Sequence, residues 1–173
     1  MTNYTKVPSI GQIYDNSCWA ACLAWWLKAV QGGRPSWTQS RVMQEFKRCT
    51  DTNGAMSADS MINGLTDDTR MKMSAAEFET PDEILTGLPL GSKPVVIAFK
   101  HITGFAHMNV IWACRTGTVM CMEPFWPMPG VDNKRTGRFV ERGFDHFNYG
   151  NSVVMAWGNL SDGSSTSSPM EAG

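Results

Sequence analysis

Between Gly11 and Gly33 the chain reads "GQIYDNSCWAACLAWWLKAVQGG", and this stretch restricts the fold more than any other. From position 18 to about 31 it has helical character, with Trp19, Ala20, Ala21, Leu23, Ala24, Trp25, Trp26 and Leu27 spread around the axis and Lys28 as the single charge. A helix apolar on nearly every face is stable where protein encloses it, so this one belongs in the centre of a domain. Asn16 and Ser17 form a capping pair before it, and Gly32 and Gly33 supply the stop. The unusual residue is Cys18, at the mouth of the helix, with Gln12 a few positions upstream.

The rest of the chain must supply the enclosure. In "PSWTQSRVMQEFKRC", Ser36 and Gln39 have capping-box spacing, and Trp37, Val42, Met43 and Phe46 make one apolar face of a second helix. A third, shorter helix is expected over 57–64. A fourth is expected at "TPDEILTGL", with Thr80 as cap, Pro81 at the first helical position, and Asp82 and Glu83 at the positive end. From "GSKPVVIAF" onward the character changes, and strands are expected at 95–99, 107–114, 119–125, 139–147 and 152–157. Helices followed by strands argue an α+β fold in which an N-terminal helical part, with the buried helix at its heart, packs on a C-terminal antiparallel sheet. One domain over 1–158 is expected, followed by a flexible Ser- and Gly-rich tail over 159–173, "NLSDGSSTSSPMEAG".

Composition removes several function classes. A formal charge of −1 gives no electrostatic case for nucleic acid or an anionic membrane, so neither is expected as a partner. No stretch is long and apolar enough to span a bilayer, and "MTNYTKVPSI" has neither the basic nor the apolar region of a Sec signal. Cytoplasmic synthesis is the expectation. Five cysteines, an odd number, argue against a disulfide framework, and Cys18 and Cys22 are too far apart for a CxxC motif. Neither a zinc site nor any other metal or cofactor is expected.

A cysteine at a helix mouth has a chemical use when a base stands beside it. Of the three histidines, His107 opens the strand "HMNVIWACR" after the small and flexible "TGFA", which suits a sheet rim facing the head of the first helix. The helix N-terminus and a neighbouring imidazolium both favour a thiolate, the nucleophilic form of cysteine. His101 and His146 are read as surface or structural residues, Cys22 as a small buried hydrophobe, and "NKRTGR" as a solvated loop. The segment "EPFWPMPG" has the Pro and aromatic content of a rigid cleft wall.

Taken together, "Gln12-x5-Cys18-Trp19-Ala20", "Gly104-x2-His107" and "MCMEPF" on the next strand resemble the papain-like cysteine peptidases. The nearer likeness is to their compact bacterial members, the peptidases that process bacteriocin leaders and the effector proteases. The resemblance implies Cys18 as nucleophile, His107 as general base and acid, and Gln12 with the Cys18 N–H as oxyanion donors. The family uses Asn or Asp to orient the histidine; here the resemblance points to Glu123, with Asp132, Asn133 and Asn109 as substitutes. It further implies an endopeptidase acting on a protein or peptide substrate, a bacterial toxin or effector delivered into a target cell by a specialised secretion system, and a cognate immunity or inhibitor protein. Cell-wall amidases of the NlpC/P60 type and glutamine deamidases share the constellation, and a catalytically inactive peptide-binding module shares the cleft.

Overall fold

The computed structural model describes residues 4–31, 37–80, 93–126 and 136–158. Three helices, α1 (Cys18–Val30), α2 (Gln39–Glu45) and α3 (Ala58–Asp67), precede or flank six strands: β1 (Met73–Phe78), β2 (Val95–Lys100), β3 (Ala106–Arg115), β4 (Thr118–Trp126), β5 (Thr136–Gly143) and β6 (Val153–Gly158). All pairings are antiparallel, in the order β1-β6-β2-β3-β4-β5. The fold is therefore α+β, with the helical part on an antiparallel sheet.

The all-round apolar helix is enclosed as its sequence requires. Residues 19 to 27 of α1 are all buried, and they pack on the sheet face that carries Met108, Val110, Met122 and Phe139. Even its polar atoms are used: Trp25 Nε1 donates to Val7 O at 3.2 Å and Trp26 Nε1 to Pro94 O at 2.7 Å. Strand alternation turns the neighbouring residues to the opposite face, where Phe99, Ile111, Val119, Cys121 and Met155 pack on Phe147. His107, Asn109 and Glu123 fall in that second alternation.

Several local expectations are corrected. The second helix starts at Gln39 with Thr38 as its cap, whose hydroxyl accepts from the Arg41 N–H at 3.2 Å; Gln39 is drawn inward instead of closing a capping box, and Ser36 lies outside the described residues. Ser17 occupies the cap position of α1 without capping a first-turn N–H, because its hydroxyl is engaged with Tyr14 and Gln39. The strand expected over 139–147 stops at Gly143, and Phe144–Phe147 form one 3-10 turn. The edge strand β1 was not expected: "MSAAEF" has weak strand propensity and is held by pairing along its length with β6. The helix expected at Thr80 lies outside the described residues, as does the tail.

The enclosure of α1 predicts where stability is concentrated. Trp25 is fully buried and meets Phe139 edge-on at 5.9 Å between ring centroids. Trp25→Ala is expected to cost about 3–5 kcal/mol in urea unfolding. A change under ~1 kcal/mol would mean that α1 is not the centre of the core.

Candidate active site

The segment leading into α1 is held by two buried glutamines. Gln39 Oε1 accepts from the Ile13 N–H at 2.9 Å and lies 3.1 Å from Ser17 Oγ, while its Nε2 donates to Gly11 O at 3.0 Å. Gln12 Nε2 donates to Tyr14 O and to Asp15 O, both at 2.9 Å. The two carbonyls fix the amide orientation, since a flipped side chain would set oxygen against oxygen. Both Gln12 amide hydrogens are thereby used within the loop, and its Oε1 has no partner among the described residues. The Gln12 backbone N–H donates to Pro124 O at 2.9 Å, tying the approach to Cys18 directly to the residue after Glu123.

The histidine is delivered by a tight hairpin. Between β2 and β3 the chain turns with Gly104 at φ +89, a conformation that a side chain would strain, and the His101 N–H donates to Phe105 O at 2.9 Å. The register then sets His107 opposite Phe99, whose ring meets the imidazole at 5.8 Å between centroids. At this end of the sheet the start of β3 meets the head of α1, and Cys18, half-buried, lies near enough to the His107 ring to act on its titration.

Glu123 lies on the far side of the imidazole. His107 Nε2 is 2.5 Å from Glu123 Oε1, which leaves Nδ1 as the nitrogen for Cys18. Glu123 Oε1 also accepts from the Phe125 N–H at 2.9 Å, and Oε2 accepts from Asn109 Nδ2 at 2.9 Å and lies 3.4 Å from Arg142 Nη2. Glu123 is only 1% exposed. Burial opposes its charge, but the hydrogen bond and charge of His107, the Asn109 amide and the Phe125 N–H outweigh that, holding the carboxyl below its usual range. For His107, burial likewise opposes the imidazolium; hydrogen bonds to Cys18 and Glu123 and the charges of both prevail and raise it to about 9.

The other titratable groups differ. Burial, reinforced by the charges of Cys18, Glu123 and Cys121, pushes the Cys22 thiol well up, and its Sγ donates to Met108 O at 3.3 Å. His101 is buried, bonded through Nδ1 to Thr103, and lowered chiefly by burial. His146 is lowered to about 4 by burial and then by Arg142. Cys18 bears on the titration of His107 and is not among the groups acting on His101 or His146.

Of the sequence-derived residues, Cys18, His107 and Glu123 are brought together, with His107 between a buried carboxylate and the thiol. Asn109 joins them through Glu123, Gln12 lies in the adjoining loop, and Asp132 and Asn133 lie outside the described residues. Arg142 was not anticipated, because it reaches Glu123 diagonally from a strand whose register was unknown. Asn109 as a partner of the same carboxylate had a signal, its two-residue spacing from His107 on one strand face. Beside the imidazole a cavity of about 330 Å³ is bounded by Asp15, Asn16, Phe105, Ala106, His107 and Phe125. A larger depression of about 1070 Å³ runs along α2 past Arg41, Glu45 and Arg48 and contains none of these groups. Among the described residues no cluster of three or more His, Cys, Asp or Glu is placed to hold a metal ion, and no helix is long and apolar enough to cross a membrane.

Comparison with solved structures finds the same fold in the peptidase domain of Streptococcus ComA, a bi-functional ABC transporter involved in a quorum-sensing pathway. The TM-score is 0.59 at 11% sequence identity, over 88% of this chain and 99% of that one. No protein-family model matches the chain, and no curated protein matches it in sequence. The likeness establishes a papain-like α+β fold.

The raised His107 gives a pH dependence with a definite sign. Its contribution to stability is fully present below the unfolded-state pKa of about 6.5 and is lost as pH rises through about 9. Unfolding free energy measured in urea should therefore fall across this interval by an amount on the order of 1–3 kcal/mol. The slope should be absent in His107→Ala; an equal slope in that variant would remove the charged pair from the account.

Proposed function

We propose that this chain is a thiol-dependent amide hydrolase, an endopeptidase acting on a protein or peptide substrate. The observation that carries this reading is the grouping of Cys18, His107 and Glu123, with the distal imidazole nitrogen 2.5 Å from a buried carboxylate. Proton transfer from Cys18 to His107 Nδ1 gives a thiolate next to an imidazolium that Glu123 stabilises. The sulfur attacks the substrate carbonyl, His107 returns the proton to the departing amine, and an acyl-enzyme remains on Cys18. Water, deprotonated by His107, then releases the acid and restores the thiol.

The oxyanion formed in each step takes its donors from the first turn of α1 and from the loop before it. The Cys18 N–H, in the first helical turn, has no carbonyl four residues back within the helix to occupy it. Gln12 becomes a second donor when its amide leaves Tyr14 O or Asp15 O. The cavity beside His107, of about 330 Å³, has room for a substrate side chain between Phe105 and Phe125. The shared fold with a peptidase domain supports the reaction class. The toxin or effector role, delivery into another cell and a cognate inhibitor protein belong to the same proposal and rest on the sequence resemblance alone.

The decisive measurement is mass spectrometry of a cell lysate incubated with the wild-type chain or with Cys18→Ala. New protein termini are expected in the wild-type sample only. Conversion of Gln to Glu without new termini would replace the peptidase reading by a deamidase, and two identical samples would remove protein hydrolysis.

Gln12 has a separate test. Gln12→Ala is expected to lower turnover by about 10²–10³ while iodoacetamide still modifies Cys18 at nearly the wild-type rate. Parallel loss of turnover and alkylation would make Gln12 a brace of the loop and nothing more.

A further inference from the structure

Glu123 has more partners than orienting a histidine requires, and they are divided between its oxygens. Oε1 receives the imidazole and the Phe125 N–H; Oε2 receives Asn109 Nδ2 at 2.9 Å and the Arg142 guanidinium at 3.4 Å. A glutamate has one more rotatable bond than an aspartate, so pointing one particular oxygen at His107 costs more side-chain entropy unless the other is held. Asn109 holds it from β3 and Arg142 from β5, so the clamp spans three neighbouring strands with Glu123 on the middle one.

Among the described residues neither side chain has a side-chain partner other than Glu123. Asn109 is fully buried, its amide nitrogen otherwise touches only the carbonyl of the adjacent Met108, and its Oδ1 has no partner among the described residues. Arg142 Nε is likewise buried without a partner among the described residues. Asparagine at this point of β3 interrupts an otherwise apolar run from Met108 to Ile111, a placement that costs free energy unless the amide serves the carboxylate.

We infer that Asn109 and Arg142 are positioning residues for the Glu123 carboxylate, holding Oε2 so that Oε1 stays aimed at His107. Their catalytic relevance rests on the Cys18, His107, Glu123 reading above. The clamp answers a chemical need of this chain, in which a longer acid stands where the family it resembles uses Asn or Asp. Around Glu123 the remaining titratable groups are His107 on β3, Arg138 opposite it on β5, Cys121 on β4, and Cys18 and Cys22 on α1. His101 and His146, farther out, are held toward their neutral forms by burial. Oε2 itself accepts from Asn109 and lies 3.4 Å from Arg142.

The test is nuclear magnetic resonance on the full-length, carbon-13-labelled chain, following the Glu123 side-chain carboxyl carbon and the His107 Hε2 proton with pH. In Arg142→Met and Asn109→Ala the Glu123 midpoint should rise by about one pH unit, a tenfold gain in proton affinity. The low-field Hε2 resonance should be lost at correspondingly higher pH. Arg142→Lys, which keeps the charge, should remain near wild type, a rescue that a purely structural role would not produce. Unchanged midpoints and an unchanged Hε2 proton in both Arg142→Met and Asn109→Ala would overturn the clamp. Should Asn109→Ala fail to fold, the Met and Lys variants at the partly exposed Arg142 decide alone. No substrate is needed, so a lysate without cleavage products would overturn the peptidase reading and leave the clamp standing. An unmoved Glu123 titration would overturn the clamp whether or not cleavage is seen.

Discussion

The arrangement of this protein depends on enclosing one helix. Residues 19 to 27 of α1 bury side chains around the whole axis, and each fully buried large apolar side chain is worth about 1.5–3 kcal/mol. That gain is realised only with a sheet on one side and further chain on the others. At the head of α1 Cys18 stays half-buried although Trp19, Ala20 and Ala21 beside it are enclosed, while Cys22 one turn later is sealed. One physical constraint thus separates a thiol available for chemistry from a thiol that only fills space.

The Glu123 end of the site is a charge-burial problem. An ionised carboxylate removed from water costs several kcal/mol unless its oxygens are paired, and breaking a buried ion pair by removing one partner typically costs about 3–5 kcal/mol. Glu123 meets the condition with donors from its own strand and from both neighbouring strands. The imidazolium is satisfied by the same contact, so His107 and Glu123 stabilise each other's charged forms against burial. Each explains why the other is tolerated in the sheet.

Between helix and sheet, the loop from Gly11 to Ser17 is fixed by amide chemistry rather than apolar packing. Gln39 reaches back from α2 to three groups of this loop, and Gln12 spans two of its carbonyls. The link from the Gln12 N–H to Pro124 O ties the loop before Cys18 to the strand carrying Glu123. Positional precision of this kind is what proximity between a nucleophile and its base requires.

The local pattern of residues determined α1, its burial, the strands on either side of "TGFA" and the place of Cys18 at the helix mouth, because apolar periodicity and turn residues act over a few positions. The antiparallel α+β class was legible for the same reason, from helices first and strands afterwards. Cys18 and His107 stood out in the sequence by residue type and by the elements they open, and the fold brings these two residues near each other. Only the tertiary structure decided which acid faces His107, that Asn109 and Arg142 share it, that Gln39 braces the loop instead of closing a capping box, and that "MSAAEF" is a strand. Each of these depends on strand register or on a contact between residues distant in sequence. A cross-strand neighbour is chosen by hydrogen-bond register and side-chain reach, quantities that no single strand carries by itself.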